Sequence, residues 1–354
     1  MKIINYKYRV RQIYCPPTTE ENINQINELF DPDKTRFYAY GRSALYNGLL
    51  SIGLKEGDRL LIPSLICRDI LSSLNKSGIS PIYYDVDKDL KPILNLQNFE
   101  KIKAILVINY FGFSQDLKLI KQYCKTTGCI LIEDNAHGFL SCDSQGKYLG
   151  TRGDIGIFSM RKTIPLLHGA ALYMNDTNKL VIIPEQLEYY DYNSLYFNCK
   201  EILRKIFPLI GISGFKIFSN FIRMLRKIRI GNSIAMFDVK DEMELPLESN
   251  PVKNLIYKIN TLDLNEEKNR RREIYQWLEH ILAGFDIKPV FMDLPDNCVP
   301  YTFPFYCFNE NINIIKKELY KFGLEIFNWP TLPKDIASSS PQFYSKIWCV
   351  RLVW

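Results

Sequence analysis

The stretch that decides the fold spans residues 128–171 and reads GCILIEDNAHGFLSCDSQGKYLGTRGDIGIFSMRKTIPLLHGAA. It begins with a short apolar run, 129–132, that leads directly into Glu133 and Asp134. A continuous apolar run of this length is typical of a parallel strand that is buried on both faces. Open α/β sheets bind their ligands at the C-terminal ends of such strands. The sequence therefore predicts a buried strand that delivers a carboxylate to a ligand site.

The same stretch contains a second apolar run, 155–158, which is followed closely by Ser159, Arg161 and Lys162. We interpret this run as another strand of the same sheet. Because neighbouring parallel strands end at a common edge, we expect Asp134 and Lys162 to face one site.

Apolar runs predicted to form strands alternate with amphipathic runs predicted to form helices along most of the chain. The predicted strands flanking the opening stretch are 58–63, 81–87, 104–111 and 169–174, and the predicted helices lie within 37–53, 65–77 and 117–126. This spacing of βαβ units predicts a mostly parallel, doubly wound α/β sheet. A helix at 251–282, a strand at 299–308 and a helix at 312–322 predict a smaller α/β domain after it.

The predicted organisation has an N-terminal arm, 1–36, a large domain, 37–245, and a small C-terminal domain, 246–354. The large domain carries a basic amphipathic insert at 198–232. Such a segment suits either contact with an anionic membrane surface or a helix pair that covers the site or a subunit interface. The second interpretation is favoured.

Composition excludes several function classes. With 47% hydrophobic and 24% charged residues, the 354-residue chain has the profile of a soluble globular protein. Its net charge of +6 is spread along the chain without a nucleic-acid motif, which argues against nucleic acid as a partner. The nine cysteines are odd in number and scattered, so they predict neither a disulfide framework nor a metal site. Without a signal peptide or a membrane span, a reducing cytoplasm is the expected location.

A turn that suits phosphate precedes the first predicted helix. Gly41, Arg42 and Ser43 stand where the helix begins, and a helix N-terminus offers backbone N–H groups and the positive end of the helix dipole. The Arg42 guanidinium adds a charged donor. Alternatively, Ser43 is an ordinary helix cap.

Three pieces of the opening stretch occur in a characteristic order: EDNAH at 133–137, GKYLG at 146–150 and GDIGIFS at 153–159. Together they resemble the core signature of the DegT/DnrJ/EryC1/StrS family, which are pyridoxal-phosphate (PLP) enzymes of the aspartate aminotransferase fold. The resemblance extends in order from about residue 37 to residue 333. It implies a homodimeric aminotransferase that transfers an amino group, with glutamate as the expected donor, to a nucleotide-linked keto sugar. Such enzymes contribute to surface polysaccharides or secondary metabolites.

The resemblance also assigns chemical roles at the end of the first strand and beyond the second. It places Asp134 on the pyridine nitrogen of PLP, where a carboxylate keeps that nitrogen protonated, and His137 beside the ring hydroxyl. It makes Lys162 the residue that bonds to the cofactor and later moves the substrate proton. Arg161 then either lowers the pKa of the Lys162 amine or binds phosphate.

The cofactor phosphate is assigned, again by resemblance, to Ser159 and to the turn of Gly41, Arg42 and Ser43. The aromatic residue that stacks on the ring in the family has no counterpart here. Cys67 or its neighbour Ile66 takes that place, or both belong to the core of a helix.

Two further departures keep alternatives open. Lys162 follows Ser159 after only three positions, which matches a divergent branch with a shortened loop. His168 stands where the family usually has an acidic residue before a glycine pair. Some relatives that carry histidine instead of the lysine perform dehydration, although His168 lies too far along the chain to be that histidine by simple alignment. A PLP-dependent sugar dehydratase and a catalytically silent binding or regulatory protein are therefore the alternatives to an aminotransferase. The segment 323–333, GLEIFNWPTLP, resembles the part of the family that ends near the substrate pocket.

Overall fold

The computed structural model describes residues 28–96, 101–164, 166–191, 240–260, 262–308 and 312–352, with positions 26 and 99 and seven single residues between 202 and 228. Most of the predicted arm and nearly all of the predicted insert at 198–232 lie outside this part of the chain. Among the described residues no helix has the length and apolar character needed to cross a membrane.

An eight-stranded sheet forms the centre of the large domain, with the strand order β1-β8-β7-β6-β5-β2-β3-β4. Its strands are β1 (Thr35–Tyr38), β2 (Arg59–Pro63), β3 (Ser80–Val86), β4 (Pro92–Ile93), β5 (Ala104–Ile108), β6 (Ile130–Asn135), β7 (Ile155–Phe158) and β8 (Ala170–Met174). The five strands from β7 to β3 in this order run parallel, whereas β8, β1 and β4 pair antiparallel at the two sides. The predicted doubly wound α/β class is thereby confirmed.

The helices of the large domain lie between the strands, as the alternating pattern predicted. They are α1 (Gly41–Ser51), α2 (Leu71–Ser77), α3 (Lys118–Thr127) and the short α4 (Lys240–Met243). Helix α2 begins later than predicted, because residues 68–70 form a 3-10 turn before it. Strand β1 starts at Thr35, so the predicted boundary after residue 36 cuts a strand that belongs to the large sheet.

The position of β6 in the middle of the sheet explains its apolar run and its two adjacent carboxylates. All six of its residues are buried, and it pairs in parallel with β5 on one side and β7 on the other. Because side chains alternate along a strand, Glu133 and Asp134 point to opposite faces of the sheet. The Glu133 carboxylate pairs with the buried guanidinium of Arg152, and Asp134 lines the cavity described below.

The smaller domain contains a four-stranded antiparallel sheet in the order β11-β12-β10-β9. Its elements, with the helices before them, are α5 (Asn254–Asn260), α6 (Leu264–Leu282), β9 (Lys288–Pro289), β10 (Thr302–Tyr306), α7 (Ile312–Tyr320), β11 (Ile326–Asn328) and β12 (Ile347–Arg351). The predicted helix 251–282 is thus two helices, since the Asp263 carboxylate accepts a hydrogen bond from the Glu266 amide and caps α6. Patterning alone did not predict β11 or β12, and β12 is a central strand of this sheet.

Helix α6 carries the run Arg270, Arg271 and Arg272, and from sequence alone such a charge run is usually interpreted as a solvated face. That interpretation is wrong for the first two, because Arg271 is 1% exposed and Arg270 is 9% exposed. Both guanidiniums pair with the buried Glu267 carboxylate one turn earlier. The charge cluster is tolerated inside because each ion is paired and hydrogen-bonded.

Candidate active site

A cavity of about 150 Å³ opens at the C-terminal edge of the parallel strands. A single water needs only about 10–15 Å³, so the cavity has room for an organic group. The side chains around it come from the ends of β2, β6 and β7, from the start of α1 and from the small domain. Those that matter most here are Tyr40, Gly41, Arg42, Cys67, Asp69, Asp134, His137, Ser159, Arg161, Lys162 and Trp329.

Seven of the eight residues predicted to bind the cofactor line this cavity, and Ser43 does not. Ser43 is buried, and its hydroxyl accepts a hydrogen bond from the Ser249 hydroxyl at 3.2 Å. Its amide donates to the Tyr40 carbonyl at 3.1 Å. The geometry therefore assigns Ser43 a structural contact to the segment after α4, contrary to the predicted contact with phosphate.

Lys162 reaches the cavity through a very short connection. Strand β7 ends at Phe158, and a single 3-10 turn, Met160–Lys162, follows Ser159. The Lys162 amide donates to the Ser159 carbonyl at 3.1 Å, which closes this turn. The shortened loop thus still brings the lysine to the pocket, with its ammonium 6.0 Å from the ring centre of Tyr301.

Asp134 is buried at the end of β6. Its carboxylate accepts a hydrogen bond from the Ala136 amide at 2.9 Å. Burial raises the pKa of this carboxyl, although the Ala136 amide and Lys162 act in the opposite direction. A cation brought next to the carboxylate would compensate the unfavourable burial, because an opposite charge favours the ionised form.

His137 is held neutral by its surroundings. Its Nδ1 accepts a hydrogen bond from the Phe111 amide at 3.3 Å, so the ring proton resides on Nε2. Burial lowers the pKa of His137 well below its ordinary value, and Lys162 lowers it further. The imidazole is stacked between Phe111 and Tyr301, with ring centres 5.6 and 4.8 Å away. A neutral histidine in this place can donate one hydrogen bond without adding charge.

The start of α1 and the loop after β7 face one another. A Cβ placed on Gly41 would lie 3.9 Å from the Cβ of Ser159, so the glycine keeps open a gap of about one methyl group. Two cations border this region, since the guanidiniums of Arg42 and Arg161 each lie 5.8 Å from the ring centre of Tyr40. Backbone amides at a helix start, a hydroxyl and two guanidiniums form a donor set that suits a phosphate group.

These features fit the cofactor that the sequence implies. A buried carboxylate lacking full compensation suits a protonated ring nitrogen, and the cationic end of the cavity suits a phosphate. Lys162 lies in the same cavity as this carboxylate and these cations. Asp134, Lys162 and Ser159 would then hold PLP, with Gly41 and the two arginines around its phosphate.

His168 packs edge-on against Tyr40, with ring centres 4.9 Å apart, and is not among the residues around the cavity. Its position therefore gives no support to the dehydratase alternative.

Trp329 and Asp69 are among the cavity residues that the sequence predicted only indirectly or not at all. Trp329 comes from the small domain, inside the segment predicted to end near the pocket, and contacts Phe111 and His137. Asp69 was not predicted at all. Its position shortly after β2, at the same sheet edge as Asp134, was the signal that could have revealed it.

The chain is similar to known aminotransferases. Residues 38–183 match the model of the DegT/DnrJ/EryC1/StrS aminotransferase family. A GDP-perosamine synthase of Escherichia coli O157:H7 is 26% identical over 86% of this chain and 84% of its own length. A dTDP-4-dehydro-2,3,6-trideoxy-D-glucose 4-aminotransferase of Saccharopolyspora spinosa is 30% identical over 36% of this chain and 34% of its own.

Among solved structures, the aminotransferase PseC of Helicobacter pylori, which is involved in the biosynthesis of pseudoaminic acid, superposes with a TM-score of 0.61. The match covers 99% of this chain and 91% of PseC at 15% identity, so it supports the fold alone. Residues 38–183 are thus similar to the DegT/DnrJ/EryC1/StrS aminotransferase family, and a PLP-form structure is among the solved structures that share the fold.

Proposed function

We propose that this protein transfers an amino group, with glutamate as donor, to a keto sugar carried by a nucleotide. The observation that carries the proposal is the presence of Lys162 and Asp134 in one cavity at the C-terminal edge of the parallel sheet. Relatives whose names specify a GDP-linked and a dTDP-linked sugar support the substrate class.

Bound PLP supplies a ring that withdraws electrons from the carbon bearing the amino group. The protein supplies the rest. The Asp134 carboxylate holds a proton on the ring nitrogen, and the neutral His137 orients the ring by a hydrogen bond. The Lys162 Nζ removes a proton from the donor carbon and delivers one to the acceptor carbon. The rings of Phe111, Tyr301 and Trp329 pack around the His137 imidazole and hold it in this position.

The proposal also includes the oligomeric state, the location and the class of product. We infer a homodimer in the cytoplasm that contributes to a surface polysaccharide or a secondary metabolite. The cysteine pattern of the sequence and the usual architecture of the family support this setting.

The first experiment tests Lys162 directly. Wild-type protein mixed with PLP should develop the long-wavelength absorbance of lysine-bound cofactor, and borohydride followed by mass spectrometry should locate the cofactor on Lys162. Lys162→Ala should lose both signals. Lys91→Ala, a change at an exposed lysine, should keep them. No absorbance change in the wild type would instead support a catalytically silent protein.

A second measurement separates transamination from dehydration. Glutamate added to the loaded wild-type enzyme should remove the long-wavelength band and release 2-oxoglutarate, because the amino group moves to the cofactor. A band that persists with glutamate, while a keto sugar loses water, would contradict the proposal. The place of His168 outside the cavity favours the first outcome.

A further inference from the structure

Asp69 is a second carboxylate in the cavity, and the chemistry described above leaves it without a role. It shares the cavity with Asp134 and Lys162, and it is only partly exposed. The two carboxylates influence one another, since Asp69 contributes to the raised pKa of Asp134. PLP chemistry needs one acid on the ring nitrogen, and Asp134 provides it.

The backbone around Asp69 is firmly held. It lies on the 3-10 turn Arg68–Ile70, and the Ser72 hydroxyl donates to its carbonyl at 2.7 Å. The neighbouring Arg68 pairs with the buried Glu242 carboxylate, and its amide donates to the Thr331 carbonyl at 3.0 Å. A carboxylate on such a fixed turn is suited to recognise a ligand group of defined position.

Cys67 lies next to this carboxylate. Burial raises the pKa of the Cys67 thiol well above its ordinary value, and the negative charge of Asp69 raises it further. The thiol therefore keeps its proton and does not add a second negative charge beside Asp69. A carboxylate has roughly four acceptor positions. Asp69 thus retains acceptor capacity for a ligand in the cavity.

The group that Asp69 receives must be a hydrogen-bond donor. The phosphate of PLP and the carboxylates of glutamate do not bind next to the Asp69 carboxylate, because like charges repel. An ammonium group is a poor choice, since a carboxylate would hold the reacting amine in its protonated, unreactive form. The hydroxyl groups of a keto sugar are neutral donors, and their hydrogen bonds to a carboxylate are charge-assisted.

We propose that Asp69 accepts a hydrogen bond from a hydroxyl group near the carbonyl of the acceptor sugar, and so selects hydroxylated over deoxygenated keto sugars. This inference rests on the proposed function. A site built to bind a hydroxyl discriminates against the analogue without it, because the acceptor that paired with the hydroxyl then loses that partner. The enzyme therefore differs in preference from the relative whose name specifies a 2,3,6-trideoxy sugar.

The test compares two acceptors in four proteins. The acceptors are a nucleotide-linked 4-keto-6-deoxyhexose with hydroxyls at C2 and C3, and its 2,3-dideoxy counterpart. The proteins are the wild type, Asp69→Ala, Asp69→Asn and, as a control for charge, Asp89→Asn at an exposed position. Rates are measured separately for the acceptor half and the glutamate half of the reaction.

Asp69→Ala should lower kcat/KM for the hydroxylated acceptor by about 10- to 100-fold, the usual effect of one hydrogen bond to a charged group. It should change the value for the dideoxy acceptor and for glutamate by less than about threefold. For Asp69→Asn, which keeps one neutral acceptor, kcat/KM for the hydroxylated acceptor should lie between those of the wild type and Asp69→Ala. Asp89→Asn should have the kcat/KM of the wild type. An equal loss with both acceptors, or a loss confined to glutamate, would overturn the proposal.

Calorimetry keeps this inference separate from the proposed function. The two nucleotide sugars are titrated into protein without PLP, so that no reaction occurs. Tighter binding of the hydroxylated sugar by the wild type, lost in Asp69→Ala, supports Asp69 even if no acceptor is converted. In that case only the proposed transfer fails. Equal binding of the two sugars by the wild type refutes the role of Asp69.

Discussion

At the residue scale, two adjacent carboxylates on β6 have opposite roles. Glu133 accepts hydrogen bonds from Arg152, from Asn109 and from the Gly153 amide, and is a structural anion. Asp134, one position later, lies on the other face of the sheet and lines the cavity. The alternation of side chains along a strand produces this division of roles.

Asp134→Asn should therefore stabilise the protein when no cofactor is present. Burial raises the pKa of Asp134. The folded protein then binds its proton more tightly than the unfolded chain does, so the free energy of unfolding falls as pH rises from about 3.9 to the raised pKa. At pH 7–8 the Asn variant avoids this penalty, and its free energy of unfolding should exceed that of the wild type by about 1–3 kcal/mol.

With PLP bound, the wild type should have the larger free energy of unfolding, because only its Asp134 carboxylate can pair with a protonated ring nitrogen. Urea unfolding with and without PLP provides both comparisons. The prediction fails if Asp134→Asn is the less stable protein without cofactor, or if PLP stabilises both proteins equally.

At His168 the free energy of unfolding should depend on pH in the opposite direction. Burial, with help from Arg161, lowers the pKa of His168 from 6.5 to about 4. The stability that follows is fully present above the unfolded pKa and is lost as pH falls from about 6.5 to about 4. His168→Gln should flatten this part of the pH profile by about 1 kcal/mol, because the imidazole is partly exposed and solvent screening reduces the full effect of the shift. His280→Gln, at an exposed position, serves as the matched control and should leave the profile unchanged.

At the element scale, β7 packs directly against the turn that precedes it, and this close packing requires glycine. A Cβ on Gly156 would lie 1.7 Å from the Gly150 carbonyl oxygen, and the clash partner is backbone that cannot rotate away. The same turn needs a left-handed residue, since Gly150 has a φ of 87°. The motif glycines near the site thus allow two backbone segments to touch.

Gly156→Ala should lower the free energy of unfolding by at least about 3 kcal/mol, because β7 must move away from the turn. Gly284→Ala is the control, since a Cβ there meets no atom within 4 Å, and its effect should stay within about 0.5 kcal/mol. Thermal and urea unfolding measure both. Equal stabilities of the two variants would contradict the close contact.

At the scale of the whole molecule, Arg271 connects the small domain to the turn that carries Lys162. Its guanidinium pairs with Glu267 and donates to the carbonyls of Pro300 and Tyr301 at 3.1 and 3.2 Å. It also donates to the Thr163 carbonyl, directly after the residue proposed to bind PLP. A single buried cation thus links α6, the strand entry before β10 and the end of the lysine turn.

Arg271→Met should lower the free energy of unfolding by about 3–5 kcal/mol, the usual effect of removing one partner of a buried ion pair. It should also weaken PLP binding, because the turn that carries Lys162 loses its support. Arg272→Met, at a neighbouring side chain that is 18% exposed, should cost less than about 1.5 kcal/mol and leave PLP binding unchanged. Absorbance titration with PLP and urea unfolding measure the two effects. Similar results for both variants would refute the linking role of Arg271.

The sequence by itself determined the α/β class, the strands that meet at the site and the residues Asp134, His137, Ser159 and Lys162 around one cavity. It could do so because continuous apolar runs mark buried parallel strands, and because the polar residues after them must gather at one edge. The choice of His137 rested on the resemblance of its motif to a known family. Only the tertiary structure decided that Ser43 turns away, that Asp69 and Trp329 join the cavity, that Arg271 is buried and that β12 lies in the centre of the small sheet. These outcomes depend on contacts between residues far apart in the chain, and no local pattern of hydrophobicity or charge encodes such contacts.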